Sequence, residues 1–320
     1  MRAEWRRAFD AADAALRAAN RILPSDENRE LSLRLAAERE PTADLLLAYA
    51  RNQLAAPHFK LPLPPREARR LLGLPREITA CVFNLDGVLI GSAVLHAEAW
   101  AKTFERVLGH RDGHGHDPAP FDLRRDYELH LHGRPRLQGV RDFLASRGIS
   151  LPEGTAGDEP GAATVHGLAN RKSQVFGRLL AERDLGAFTG AREYLEIARD
   201  AHIRCAVVSA SAHADTLLER AAISQLIDGR VDGRTLVAEG LRPRPAPDIF
   251  LAACRMLGSG PRQTAAFETS PAGISAARAG GSGFVVGVGR GDLTPALREA
   301  GADLVVTGLE VLLEREEAAA

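Results

Sequence analysis

Five short runs of small and β-branched apolar residues constrain this chain more than any other feature. They are Ile78–Phe83, Cys205–Ser209, Thr264–Glu268, Gly283–Val288 and Asp303–Val306, each closed by polar or glycine-containing turns. An apolar run of this length without alternation reads as a strand buried on both faces. Helical stretches at 212–222, 247–257, 271–279 and 293–300 separate the later runs. Strands alternating with helices predict an α/β, Rossmann-like core: a parallel sheet with helices on both sides.

The spacing of the runs sets the domain plan. More than a hundred mostly helical residues separate the first run from the second, enough for an inserted α-helical cap. Upstream, Trp5, Phe9, Ala12, Leu16, Ala19 and Leu23 step by three or four, the spacing of one helix face. Pro24-Ser25 and Pro41-Thr42 break this region into further helices, with Ser25 and Thr42 as caps. Four prolines between Pro57 and Pro65 stop helix formation and favour an extended linker. A short helix over 66–72 follows. The expected organisation is a helical N-terminal extension at 1–75, a core at 76–91 and 188–320, and a cap at 92–187.

Composition excludes several function classes. Forty-one basic residues meet 42 acidic ones, so the basic excess of a dedicated nucleic-acid binder is missing. Aromatics make up only 5%, too few for a base-stacking platform. No apolar run approaches the roughly 18 residues of a membrane span, and Met1–Asp10 carries no signal-peptide core. Three scattered cysteines suit a reduced, cytoplasmic protein.

In open α/β sheets, ligands bind at the carboxyl ends of the strands. Those ends carry Asn84-Leu85-Asp86-Gly87 after the first run and Ser209-Ala210-Ser211 after the second. Glu268-Thr269-Ser270-Pro271-Ala272-Gly273 follows the third, and Arg244-Pro245-Ala246-Pro247-Asp248 precedes a helix. Hydroxyls, turn amides, carboxylates and a planar guanidinium converging there suit a phosphate ester.

These segments resemble the motifs of the haloacid dehalogenase (HAD) superfamily, and of its β-phosphoglucomutase-like subfamily of sugar phosphatases and mutases. Phe83–Val88, Gly133–Arg136, Asn170–Lys172, Val208–Ser211, Pro245–Asp248 and Pro271–Gly273 match in order, as do His96 and Trp100 on the first cap helix. The likeness covers about 76–315. It implies a carboxylate nucleophile at 84 and an acid–base carboxylate at Asp86. It also implies magnesium held by position 84, the carbonyl of 86 and acidic residues at 268 and 269. Ser209, with Ala210 beside it, and a cation at 244 would hold the phosphoryl group, and Arg136, Lys172 and His96 would face the sugar from the cap.

This chain departs from the pattern at the reacting positions. Asn84 replaces the nucleophile, Thr269 replaces a metal carboxylate, and Arg244 stands for lysine. Ile90-Gly91 replaces a Thr-Asp pair. Magnesium favours anionic oxygens, so a site left with Glu268 and Asp86 should hold it weakly. The expectation is a pseudoenzyme that binds a phosphorylated small molecule, in particular a sugar phosphate, or serves a regulatory or structural role. An active magnesium-dependent phosphatase or phosphoglucomutase requires an introduced substitution at 84, or Asp86 taking over the chemistry. A third reading is an interaction protein whose partner docks on residues 1–56. Two histidine groups read as bystanders: His110, His114 and His116 in a Gly-rich solvated loop, and His130 and His132 at the cap surface or hinge.

Overall fold

The computed structural model describes residues 63–109, 119–289 and 293–314. The expected helices and partner surface over 1–56, most of the Pro-rich linker and the His110–His116 cluster lie outside these residues. The chain divides into compact units at 1–68 and 69–320. Helix α1 (Pro65–Leu71) spans that division in sequence.

The core is a six-stranded, all-parallel sheet. Its strands are β1 (Ala80–Asn84), β2 (Arg204–Val208), β3 (Gly229–Val231), β4 (Thr264–Glu268), β5 (Phe284–Val288) and β6 (Leu304–Val306). The spatial order is β3-β2-β1-β4-β5-β6. Five strands follow the apolar runs, and β3 was not expected. Its Gly-Arg-Val is too short to form an apolar run, and it is an edge strand paired only through Ala206–Val208 of β2.

Side-chain alternation explains why the central strands are apolar throughout. Ala80 and Val82 of β1, Ala206 and Val208 of β2 and Ala266 of β4 share one core with Ile249, Phe250 and Ile274. The last three belong to α8 (Asp248–Leu257) and α9 (Pro271–Ala279). On the other face Phe83 stacks on Phe267 at 4.5 Å, and the Tyr194 ring of α5 (Ala191–Asp200) meets both edge-on. The Tyr194 hydroxyl donates to the Leu72 carbonyl at 2.9 Å, satisfying its one buried polar group.

The chain leaves the sheet after β1 and returns before α5. Outgoing Ile90 and returning Ala187 form a bridge, and the Phe188 amide donates to the Leu89 carbonyl at 2.8 Å. Between these crossings lie α2 (Ala93–Leu108), a π-helical turn (Tyr127–Leu131), α3 (Arg136–Ser146) and α4 (Val165–Glu182). They bury their own core of Trp100, Phe104, Phe143, Val140 and Leu168. Two smaller helices follow β2 and β3: α6 (Ala214–Arg220) and α7 (Gly233–Ala238). α10 (Leu293–Glu299) and α11 (Glu310–Glu314) complete the fold.

Candidate functional site

Strand register brings the site together. Asn84 pairs with Val208, and Phe83 pairs with Phe267. Asn84, Ser209 and Glu268 therefore emerge at one level of the sheet, beneath the inserted helices. A cavity of about 170 Å³ opens there. Asn84, Asp86, Ala210 and Arg244 line it from the core, and His96, Arg136 and Lys172 line it from the cap. The structure thus gathers most of the residues singled out from the sequence.

Asn84 is buried and fully engaged. Its Nδ2 donates to the Asp86 carbonyl at 2.8 Å and to Thr269 Oγ1 at 3.3 Å. Its Oδ1 accepts from Arg244 Nη2 at 3.3 Å. Arg244 Nη2 also lies 2.8 Å from Glu268 Oε1, with the two side chains 5% and 0% exposed. Glu268 Oε2 accepts the Thr269 amide at 2.9 Å. Gly273 makes room for this carboxylate: a Cβ there would overlap all three of its terminal atoms. Gly87 has φ +87°, and its missing side chain clears Thr269, whose Cγ2 would lie 2.9 Å from a Cβ.

The Asp86 carboxylate points elsewhere. It accepts from Ser92 Oγ and, at 3.1 Å, from Ser209 Oγ, and it lies 3.4 Å from His96 Nε2. Burial pushes this carboxyl up, but His96 and the two hydroxyls outweigh burial and hold it well below the usual range. His96 is pushed down by burial and then by Lys172, which keeps its ring neutral. Lys172 Nζ sits 2.7 Å from His96 Nδ1 and 4.5 Å from the centre of the Phe176 ring. An ammonium only donates, so Nδ1 accepts and Nε2–H faces Asp86. Burial and then the charge of Arg136 push Lys172 down to about 7.

Two expected phosphate contacts are turned inward. The Ser209 hydroxyl bonds Asp86 and accepts the Ser211 amide at 3.1 Å. The Arg244 fork faces Asn84 and Glu268, while its buried Nε–H has no protein partner. Arg136 likewise keeps a buried Nε without a partner at the N-terminus of α3.

The family's phosphatases and mutases generally use magnesium, and the residues here do not fit it. The positions expected around the metal are turned to other groups: the Asp86 carbonyl and Thr269 Oγ1 face Asn84, and Glu268 Oε1 lies 2.8 Å from Arg244 Nη2 without a hydrogen bond of its own. The two ligands left by the sequence, the Asp86 carbonyl and Glu268, lie against Asn84 and Arg244, and the Asp86 carboxylate turns away to Ser92, Ser209 and His96. Among the described residues, no group of three or more His, Cys, Asp or Glu side chains is placed to hold a metal ion.

Sequence reading missed several lining residues. His132, expected at the cap surface or hinge, lines the cavity with Tyr127 beside it, their rings 5.4 Å apart. His213 also lines it and meets Ser173 of α4 through Nε2 at 2.9 Å. Burial, then Lys172, push His213 down to about 4. Ser92 precedes α2 without a side-chain capping bond, and its hydroxyl's bond to Asp86 was not visible without Asp86 in view. The motif-flanking positions of His213 and Ser92 were the only available signals.

Fold and site together define an α/β protein with a cavity between its strand ends and an inserted set of helices. Residues 78–281 match the haloacid dehalogenase-like hydrolase family. The chain is 43% identical over 254 residues to a β-phosphoglucomutase of Mycobacterium tuberculosis (strain CDC 1551 / Oshkosh), covering 78% of this chain and 97% of that protein. It is 34% identical over 227 residues to the Bacillus subtilis (strain 168) β-phosphoglucomutase, covering 71% of this chain and 88% of that one. Among solved structures, the Clostridium difficile β-phosphoglucomutase superposes with a TM-score of 0.59 at 24% identity, over 75% of this chain and 99% of that one. CbbY of Rhodobacter sphaeroides, solved in complex with phosphate, gives 0.55 at 24% identity, over 72% and 95%. At that identity these structures speak for the fold. The chain belongs to the haloacid dehalogenase-like hydrolases and, within them, to the β-phosphoglucomutase-like group.

Proposed function

We propose that this β-phosphoglucomutase-like protein binds a phosphorylated sugar beneath its cap and transfers the phosphoryl group slowly or not at all. The reading rests above all on Asn84. A carboxamide whose oxygen accepts from Arg244 and whose nitrogen donates to Asp86 and Thr269 offers no anionic oxygen to attack phosphorus. Asp86 is ionised and close to a neutral histidine, so it can exchange a proton with a sugar hydroxyl, but proton transfer without a nucleophile does not cleave a phosphate ester. Residues 92–187 serve as the cap and 76–91 with 188–320 as the core. Arg136, Lys172 and His96 meet the sugar, and Ala210, Ser209 and Arg244 surround the phosphate. Three free, buried cysteines suit a cytoplasmic setting, and no described helix is long and apolar enough to cross a membrane.

The M. tuberculosis and B. subtilis relatives named as β-phosphoglucomutases favour a second reading, an active mutase or phosphatase in which Asp86 carries the chemistry. One comparison separates the two. Phosphate release and β-glucose 1-phosphate isomerisation are measured with magnesium for the native chain and for an Asn84→Asp, Arg244→Lys, Thr269→Asp variant. Turnover by the variant alone supports a binder that lacks its nucleophile. Native turnover abolished by Asp86→Ala establishes the active reading.

A further inference from the structure

The charge balance of the site points past the missing nucleophile. Among the described residues, Asp86 and Glu268 are the carboxylates at these strand ends; Arg244 pairs with Glu268, while Arg136 and Lys172 line the cavity from the cap. Carboxylates at 84 and 269 would add two negative charges beside Glu268, where Arg244 is the cation in contact, and would favour a divalent ion there. Asn84 and Thr269 remove that surplus, and Arg244 places one nitrogen within 2.8 Å of Glu268 Oε1 and 3.3 Å of Asn84 Oδ1. Those two groups, the Asp86 carbonyl and Thr269 are the positions that the family resemblance assigns to the metal. Asn84 Nδ2 occupies the remaining two.

We propose that Arg244 is the site's resident cation: its guanidinium, seated between Asn84 and Glu268, takes the electrostatic place of the metal ion and allows a phosphate dianion to bind without one. The proposal rests on the phosphate-binding reading above and gives it a metal requirement of zero. A guanidinium keeps its charge at every physiological pH and presents several donors in a fixed plane. Its Nη2 faces both protein acceptors here. The buried Nε–H has no partner in the protein, and Arg244 lines the cavity beside Asn84 and Asp86. A buried donor left unmatched at a cavity wall favours an anionic acceptor. A lysine at 244 would offer one point charge and no second donor nitrogen such as Nε–H.

Calorimetric titration of the native full chain with inorganic phosphate and with β-glucose 1-phosphate tests this, each run in EDTA and in excess magnesium. The expected dissociation constants agree within about twofold between the two conditions. Electron paramagnetic resonance with Mn²⁺ as the metal probe, in the presence of phosphate, should show only the free hexaaqua signal. Arg244→Lys should weaken phosphate binding about tenfold or more. Binding that appears only with magnesium, Mn²⁺ held by the native chain, or an Arg244→Lys variant that binds like native each overturns the resident-cation proposal and leaves phosphate binding standing. No binding of either ligand in any condition overturns both.

Discussion

Arg244 and Arg242 stand two residues apart, yet the structure assigns them opposite energetic roles. Arg242 pairs with Asp248 at 2.8 Å with its side chain 72% exposed. Arg244 pairs with Glu268 at the same distance, almost wholly buried. Removing one partner of a buried pair strands the other charge, at a cost of about 3–5 kcal/mol. Arg244→Met leaves Glu268 with only the Thr269 amide as a donor. At roughly 2–4 °C per kcal/mol for a domain of this size, Tm should fall by about 6–20 °C. Arg242→Met should leave Tm nearly unchanged, because solvent screens an exposed pair. Glu268→Gln added to Arg244→Met should restore most of the loss, since Gln still accepts from Thr269 and carries no stranded charge. The coupling from the double-mutant cycle should reach about 2 kcal/mol. Thermal melts give the Tm values, and urea denaturation followed by circular dichroism gives the free energies, with unchanged m as the check that unfolding stays comparable. An Arg244→Met variant as stable as Arg242→Met, or a double variant no better than Arg244→Met alone, refutes the assignment of Arg244 to Glu268.

Three further predictions follow from the same geometry. Lys172 is held down to about 7 in the fold, so above that pH the unfolded chain binds the extra proton, and stability should rise with pH until the ordinary lysine range. The slope is at most about 1.4 kcal/mol per pH unit, and Lys172→Met should flatten Tm between pH 7 and pH 9; an unchanged slope contradicts the buried Lys172–His96 contact. Asp86 lies below its ordinary range, so its contribution is present above the unfolded carboxylate pKa near 4 and is lost as pH falls toward the lower folded value. Asp86→Asn should therefore reduce the acid sensitivity of Tm, and an identical acid limb would count against the Ser92 and Ser209 hydrogen bonds. Gly273→Ala should cost about 1–3 kcal/mol, because the new methyl meets the Glu268 carboxylate; a neutral result in thermal denaturation would mean that Glu268 sits elsewhere.

The sheet was legible because a strand buried on both faces leaves an uninterrupted apolar signature. That logic located β1, β2, β4, β5 and β6, and it failed at β3, where Gly229-Arg230-Val231 pairs on one side only. The motif residues at the strand ends were also legible, since topology alone brings such ends together. What those residues touch was not. Sequence gave Arg244 and Ser209 as ready donors to a phosphate, whereas packing turns Arg244 toward Glu268 and Ser209 toward Asp86. Histidines 132 and 213 were invisible as lining residues because their placement depends on how the inserted helices return over the core, a long-range fact that local spacing does not carry.

Binding without transfer is tested most directly in a single sample. ³¹P NMR follows β-glucose 1-phosphate mixed with the native chain, alongside heat-inactivated protein. The account predicts that the phosphate resonance shifts or broadens with native protein while its integral stays constant over hours. Growth of an inorganic phosphate or glucose 6-phosphate signal above the inactivated control contradicts the loss of the nucleophile at Asn84. A resonance unaffected by the native chain contradicts the phosphate site itself.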